Sequence, residues 1–333
     1  MLIHLAQFGA SRLPSSVTRQ SIFRHFVAAT ASCFLLSHSA RAFGSHLAMS
    51  ASPGPITIVT GSNKGIGLEI LKKLAPTSSV AILAARNPSL GEQAAQELRD
   101  HGLENVKYRP LDVSSAESIE HFVKEIQKDY GRADILVNNA GIAFKGRDPT
   151  PFRDQAAPTF KTNFWGTVEL IDAMTPLLRK STGCPCIVNV ASQSGRLSIL
   201  DTDRGKQAEI SSPILTRDRL FELVRQFEHD VRTGTHAENG WPNTCYGMSK
   251  LALIAFGRVF ARNEMEGGTE KEGKTSIWLA SCCPGWCDTD MSSHSGPRTA
   301  EHGARTPAWL AMEGRQQGAT AGGFFYDEKE IQW

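Results

Sequence analysis

From residue 56 onward the apolar positions fall into two alternating patterns. Short apolar runs, Ile56-Thr57-Ile58-Val59-Thr60, Val80-Ala81-Ile82-Leu83-Ala84 and Ile187 to Val190, have the length and branched side chains of buried strands. Two further strands are predicted to end at Leu111-Asp112-Val113 and at Ile135-Leu136-Val137-Asn138-Asn139-Ala140-Gly141. After the first strand, Leu68, Leu71 and Leu74 recur at helical spacing and would turn inward on one face. Strand and helix alternating in this way predict one large α/β core: a doubly wound parallel sheet with helices on both faces. A further segment, Thr216 to Gly234, carries Leu220, Val224, Phe227 and Val231 at helical spacing, a stripe that would pack it onto its own domain.

The first strand runs directly into Gly61-Ser62-Asn63-Lys64-Gly65-Ile66-Gly67 and then the helix. Strand, glycine turn and helix are the three parts of a dinucleotide site, because glycines let the backbone approach a pyrophosphate and the helix N-terminus offers free N–H groups. The fold class is therefore read as Rossmann-type. At the end of the next strand an acid would hold the ribose diol of NAD, but the chain has Ala85-Arg86 there, and Lys64 already lies within the turn. Two cations without a carboxylate suit a 2'-phosphate, so the expected cofactor is NADPH. The competing reading is two solvated basic residues.

Tyr246-Gly247-Met248-Ser249-Lys250 supplies the chemistry. A tyrosine and a lysine four residues apart lie one helical turn apart on the same face. The ammonium beside the phenol would favour the phenolate, lowering a pKa that is about 10 in free tyrosine toward working pH, where a general acid or base is most effective. Combined with the glycine turn and a lone Ser192, the pair points to hydride transfer between a nicotinamide and a carbonyl.

In this order of motifs the chain resembles the short-chain dehydrogenase/reductase family over nearly everything from Ile56 onward. The likeness rests on the glycine turn, Asn138-Asn139-Ala140-Gly141, Asn163 within Lys-Thr-Asn-Phe-Trp-Gly-Thr, Ser192 after its strand, Tyr-x-x-x-Lys, and Pro284-Gly285. Within the family the likeness is to the monomeric NADPH-dependent carbonyl reductases. It is carried by Gly61 to Lys64, residues 138–145, Asp148-Pro149-Thr150-Pro151-Phe152, Gly240-Trp241-Pro242, Cys282-Cys283-Pro284-Gly285-Trp286 and Gln332-Trp333. The resemblance implies a catalytic set of Asn163, Ser192, Tyr246 and Lys250. Tyr246 would protonate the carbonyl oxygen, Ser192 would hydrogen-bond it, and Lys250 would tune the tyrosine and hold the nicotinamide ribose. Asn163 would sit at a helix interruption and relay protons through water. Asp112, Val113, Asn139, Ala140, Gly141, Pro284, Gly285 and Thr289 would join the glycine turn and Arg86 in holding the cofactor. Phe144, Lys145, Gln155, Ser192 and Trp286 would face the substrate, Trp286 as an aromatic wall for flat carbonyl compounds or, alternatively, as a core residue.

The chain departs from the general family between Ser192 and Tyr246, where an extra segment, about 197–240, intervenes. In the resembled reductases such an insertion covers the face through which other members pair, so a monomer is expected. Ser192-Gln193-Ser194 is more polar than usual, and Cys287-Asp288 stands where apolar and basic residues are usual. A carboxylate at Asp288 would weaken NADPH binding.

Composition adds a leader. Residues 1–54 contain Arg12, Arg19, Arg24 and Arg41 with no lysine and no acid, and the first acid is Glu69. Removing that +4 from the formal +2 leaves −2 for the domain at 55–333, so no nucleic-acid or membrane partner is expected. The leader reads as a mitochondrial or plastid transit peptide, or as a bipartite plastid leader with Phe26 to Leu36 before Ala40-Arg41-Ala42. Translation from Met49 would instead give a cytoplasmic protein. Seven cysteines without regular spacing form no disulfide framework, and none has histidines at metal-site spacing. The expected activity is NADPH-dependent reduction of aldehydes, ketones or quinones. The alternatives are a secondary-alcohol dehydrogenase or terpenoid ketone reductase on the same scaffold, and a non-catalytic NADPH-binding sensor.

Overall fold

Residues alternate in and out of each strand, and here both sides of the sheet are covered, so neighbouring positions enter two different cores. The computed structural model describes residues 54–267 and 275–333. The leader predicted at residues 1–54 lies outside these residues, apart from Gly54. Seven strands run parallel: β1 (Ile56–Thr60), β2 (Val80–Ala85), β3 (Val106–Pro110), β4 (Ile135–Asn138), β5 (Cys186–Val190), β6 (Trp278–Cys282) and β7 (Phe324–Tyr326). β8 (Lys329–Glu330) closes the edge antiparallel to β7. The order is β3-β2-β1-β4-β5-β6-β7-β8, which reverses direction between β1 and β4. That reversal is the switch point beyond which an open parallel sheet leaves a ligand crevice.

The helices, in chain order, are α1 (Gly65–Leu74), α2 (Pro88–Asp100), α3 (Ala116–Tyr130), α4 (Phe152–Phe160), α5 (Gly166–Leu178), α6 (Arg204–Ser211), α7 (Arg217–Thr233), α8 (Cys245–Glu266), α9 (Ala300–Gly303) and α10 (Arg305–Trp309). Val59, Leu83, Val137 and Val188 join Ile70, Leu71 and Leu74 of α1 and Ala94 and Leu98 of α2 in one core. Their strand neighbours Ile58, Ile82, Leu136 and Ile187 join α3, α5 and α8 in the other.

Two local expectations shift. Leu68 is only half-buried, and Gly67, Ile70, Leu71 and Leu74 form the inward stripe, which follows the 3.6-residue period better. β3 stops at Pro110, so Leu111, Asp112 and Val113 form the loop after the strand. β2 ends at Ala85, so the ladder stops with the bond from the Leu111 N–H to the Ala85 carbonyl at 3.1 Å. The insertion contains α6 and α7. Thr216 caps α7, its Oγ1 accepting from the Arg219 N–H at 3.2 Å, and Gly234 ends it with a left-handed φ of 80°. Leu220, Val224, Phe227 and Val231 are buried.

α7 lies over α4, the start of α5 and α8 through aromatic contacts. Phe227 stacks on Phe160 at 5.5 Å, Phe221 meets Trp165 edge-on at 5.1 Å, and the Trp165 indole donates to Glu228 at 2.9 Å. Arg217 pairs with Asp172 of α5 and lies over the Phe221 and Phe256 rings.

Candidate active site

The glycine turn caps the switch point, and its glycines are required by contact. Gly61 has φ +63°, and a side chain there would begin 2.9 Å from the Ala140 Cα. On Gly67 it would begin 2.4 Å from the Asn139 amide. Thr60 locks the turn to the loop after β4, its Oγ1 accepting from the N–H groups of Asn139 and Ala140, both at 3.0 Å. Above the turn opens a cleft of about 530 Å³. Its walls include Gly61, Asn63, Lys64, Gly65, Ile66 and Gly67 from the turn, Arg86 from the end of β2, and Asp112 and Val113 from the loop after β3. Asn139, Ala140, Gly141 and Thr289 complete the part named from sequence. Ser62 is fully buried beneath, its hydroxyl donating to the Val59 carbonyl at 2.6 Å. The cleft fits a dinucleotide: it has backbone-lined glycine walls, the N-terminus of the ten-residue α1 and two cations, Lys64 and Arg86, in its lining. Asp112 responds to one of those cations, Arg86, and to Lys161. Burial pushes its carboxyl up, but hydrogen bonds from Ser114 and the charges of Arg86 and Lys161 hold it below the ordinary value.

Tyr246 and Lys250 lie in the first turns of α8, which Thr244 caps by accepting from the Gly247 N–H at 2.9 Å. The Lys250 ammonium is 5.7 Å from the Tyr246 ring centre and donates to the Val190 carbonyl at 2.9 Å. A side chain on Gly141, in the cleft wall, would begin 3.5 Å from that ammonium, so Lys250 borders the cleft. Ser192 lies close enough to the Tyr246 phenol to draw its pKa down, while its own Oγ accepts from the Ser194 N–H at 3.1 Å.

The loop carrying Ser192 packs against α8 through two more glycines. A side chain on Gly195 would begin 2.5 Å from the Leu251 nitrogen, and one on Gly247 would begin 2.7 Å from the Ser194 carbonyl.

The electrostatics differ from the expectation at Tyr246. Burial pushes the phenol up to about 12, against the downward pull of the Ser192 hydrogen bond. Burial likewise draws Lys250 down to about 8, with Cys283 and Cys282 acting the other way. Desolvation therefore outweighs the pull of Ser192, and Tyr246 keeps its proton at neutral pH.

Asn163 lies in a π-helical turn, Lys161–Trp165, between α4 and α5, a local widening that often marks functional positions. Its Oδ1 accepts from the Ile142 N–H at 2.8 Å, and its Nδ2 donates to the Ile142 carbonyl at 2.9 Å and to Ser249 at 3.1 Å. Ser249 in turn donates to the Tyr246 carbonyl at 2.8 Å. The side chain of Asn163 thus pins the loop after β4 to the catalytic helix.

The remaining residues named from sequence lie outside the cleft lining. Trp286 is 61% exposed, which excludes a core role. Phe144 is half-buried, Lys145 is exposed, and Gln155 donates to the Thr150 carbonyl at 2.8 Å. Pro284 and Gly285 follow β6, Gly285 with φ 85°. Sequence reasoning missed Ile142, Thr162, Asp290, Met291 and His294 as cleft residues. Asp290 and Met291 adjoin Thr289 and were legible by proximity; His294 carries no local signal. Among the described residues no cluster of His, Cys, Asp or Glu is arranged to hold a metal, and no helix is long and apolar enough to cross a membrane. The six cysteines among them are free.

A profile of the short chain dehydrogenase family matches residues 55–201, ending inside the insertion. Carbonyl reductase (NADPH) 1 of the mouse, Mus musculus, is 37% identical over 286 residues, which cover 85% of this chain and 100% of the mouse protein. The chain belongs to the short-chain dehydrogenase/reductase family. Two solved family structures align over 82% of this chain and 99% of their own, each at 28% identity. They are salutaridine reductase from Papaver somniferum, with a TM-score of 0.72, and the menthone neomenthol reductase of Mentha piperita, with 0.66.

Proposed function

We propose that this chain reduces carbonyl compounds, aldehydes, ketones or quinones, to alcohols with NADPH. The observation that carries this is the pairing of Tyr246 and Lys250 one turn apart on α8, with the Lys250 ammonium bordering the glycine-walled cleft. The whole-length likeness to an NADPH-dependent carbonyl reductase supports it. NADPH, when bound, supplies hydride to the carbonyl carbon. Tyr246 releases its proton to the carbonyl oxygen as negative charge grows there, and Ser192 hydrogen-bonds the same oxygen. Lys250 holds the nicotinamide ribose and stabilises the phenolate that proton transfer leaves. Lys64 and Arg86 take the 2'-phosphate, and the α1 N-terminus takes the pyrophosphate. Trp286, exposed beside Gly285, would offer a flat apolar wall to the substrate; the resemblance adds Phe144, Lys145 and Gln155 to the substrate side.

The decisive experiment follows NADPH absorbance across a panel of quinones, aldehydes and ketones. Tight NADPH binding without turnover on any of them would favour a sensor instead. Likeness to salutaridine and menthone neomenthol reductases favours a second reading, a terpenoid or alkaloid ketone as substrate, and the same panel distinguishes it.

α7 covers the helical face made by α4, α5 and α8, which supports a monomer. The acid-free leader supports import into a plastid or mitochondrion, with plastid ahead. A fluorescent fusion that stayed in the cytoplasm would refute import.

A further inference from the structure

The segment after β6 turns back on itself and lies across the cofactor cleft. Its neck is closed where the Asp288 N–H donates to the Arg298 carbonyl at 2.7 Å and Cys287 bridges Arg298. Thr289 rests on the glycine turn, its methyl 3.5 Å from where a side chain on Gly65 would begin. Asp290 then reaches the opposite wall: its Oδ2 is 2.5 Å from the Lys64 ammonium. Its other oxygen is 3.0 Å from Nε2 of His294, whose Nδ1 is 2.6 Å from Asp288. Both ring nitrogens face carboxylates, an arrangement that only the doubly protonated imidazolium satisfies fully. These hydrogen bonds, to Asp288 first and Asp290 second, raise the imidazole above its ordinary value. Ser293 and His294 adopt left-handed φ values of 54° and 58°, which is how the ring returns over its own loop.

Charges therefore alternate along the rim: Lys64 positive, Asp290 negative, His294 positive and Asp288 negative. Arg86 and Asp112 are the other charged groups lining the same cleft. We propose that Asp290, backed by His294, is a specificity-determining residue for the coenzyme, a resident counter-ion of Lys64 that the 2'-phosphate of NADPH must displace. The inference rests on the assignment of Lys64 to that phosphate. A phosphate carries roughly −1.5 to −2 and outcompetes a single carboxylate for the cation. His294 then keeps the displaced Asp290 neutralised, so that two carboxylates do not face the phosphate unpaired. Asp290 thereby lowers the advantage of NADPH over NADH and eases departure of the oxidised coenzyme.

The test is the dissociation constant of NADPH and of NADH, read from nicotinamide fluorescence without substrate. It compares the full chain with its Asp290→Asn, His294→Gln, Lys64→Ala and doubly substituted Lys64→Ala/Asp290→Asn forms. Asp290→Asn should tighten NADPH about two- to fivefold, the scale of one exposed ion pair, and leave NADH unchanged. His294→Gln should weaken NADPH alone, and the Asp290→Asn gain should vanish when Lys64 is Ala. An equal change for both coenzymes, no change for NADPH, or a gain that survives Lys64→Ala overturns the proposal. If instead the unsubstituted chain binds NADPH no better than NADH, it is the coenzyme reading that fails.

Discussion

Replacing Lys250 with Met should stabilise the fold and end turnover at the same time. Lys250 is 4% exposed, and burial draws its pKa from the ordinary 10.5 to about 8. At about 1.4 kcal/mol per tenfold, that difference is worth roughly 3 kcal/mol against folding with the amine charged. The folded state holds the proton more weakly than the unfolded chain. The cost is therefore fully present below about pH 8 and is relieved as pH rises from about 8 toward 10.5, where both states become neutral. Methionine fills similar volume without charge and forfeits the hydrogen bond to Val190, worth about 1 kcal/mol. The net gain at pH 7 is about 2 kcal/mol and shrinks toward zero by about pH 9.5. Urea unfolding followed by tryptophan fluorescence, on both proteins at pH 7 and 9.5, measures it. A methionine protein no more stable at pH 7, or a difference that ignores pH, would refute the reasoning. The trade is expected where catalysis demands a charge that folding disfavours.

Tyr246→Phe should lower kcat about 10²- to 10⁴-fold, the usual contribution of a general acid, while NADPH affinity measured by fluorescence stays put. Reduction by the unsubstituted enzyme should decline as pH rises through about 8, where Lys250 loses its proton; a flat pH–rate profile of kcat/KM from 7 to 9.5 would contradict this. Arg86→Asp should move coenzyme preference from NADPH toward NADH in paired kinetic assays, and unchanged preference would remove Arg86 from the phosphate site. Phe227→Ala should cost about 3–5 kcal/mol of stability, because its ring is fully buried against Phe160 and Trp241. The protein beginning at residue 55 should elute as an active monomer in light-scattering chromatography, and a dimer would mean that α7 does not block pairing.

The scaffold was legible where its causes are local. Ile58 and Val59 alternate between two cores, Gly61 needs its positive φ, and Thr216 and Gly234 are the two ends of α7, each readable from a few adjacent residues. What remained hidden depends on distant groups meeting. The Tyr-x-x-x-Lys spacing places an ammonium near a phenol, but it does not reveal that desolvation raises the phenol pKa at Tyr246 rather than letting it fall. Asn163 could be picked from its motif, yet its partner Ile142 sits on another loop and comes within reach through the π-helical turn. His294 is one of ten histidines, and only a left-handed turn sets it between two carboxylates.

The two glycine contacts between the serine loop and α8 bear on how this enzyme can change. The proton donor and its hydroxyl neighbour are held in alignment by bare backbone at Gly195 and Gly247, where even a methyl would collide with main-chain atoms. On the roles proposed above for Trp286, Lys145 and Arg86, mutational drift or laboratory selection should be able to rework them to change what is reduced and with which coenzyme, while the backbone alignment at Gly195 and Gly247 is carried along intact. A library for new substrates should randomise those outer positions freely and leave the two glycines untouched.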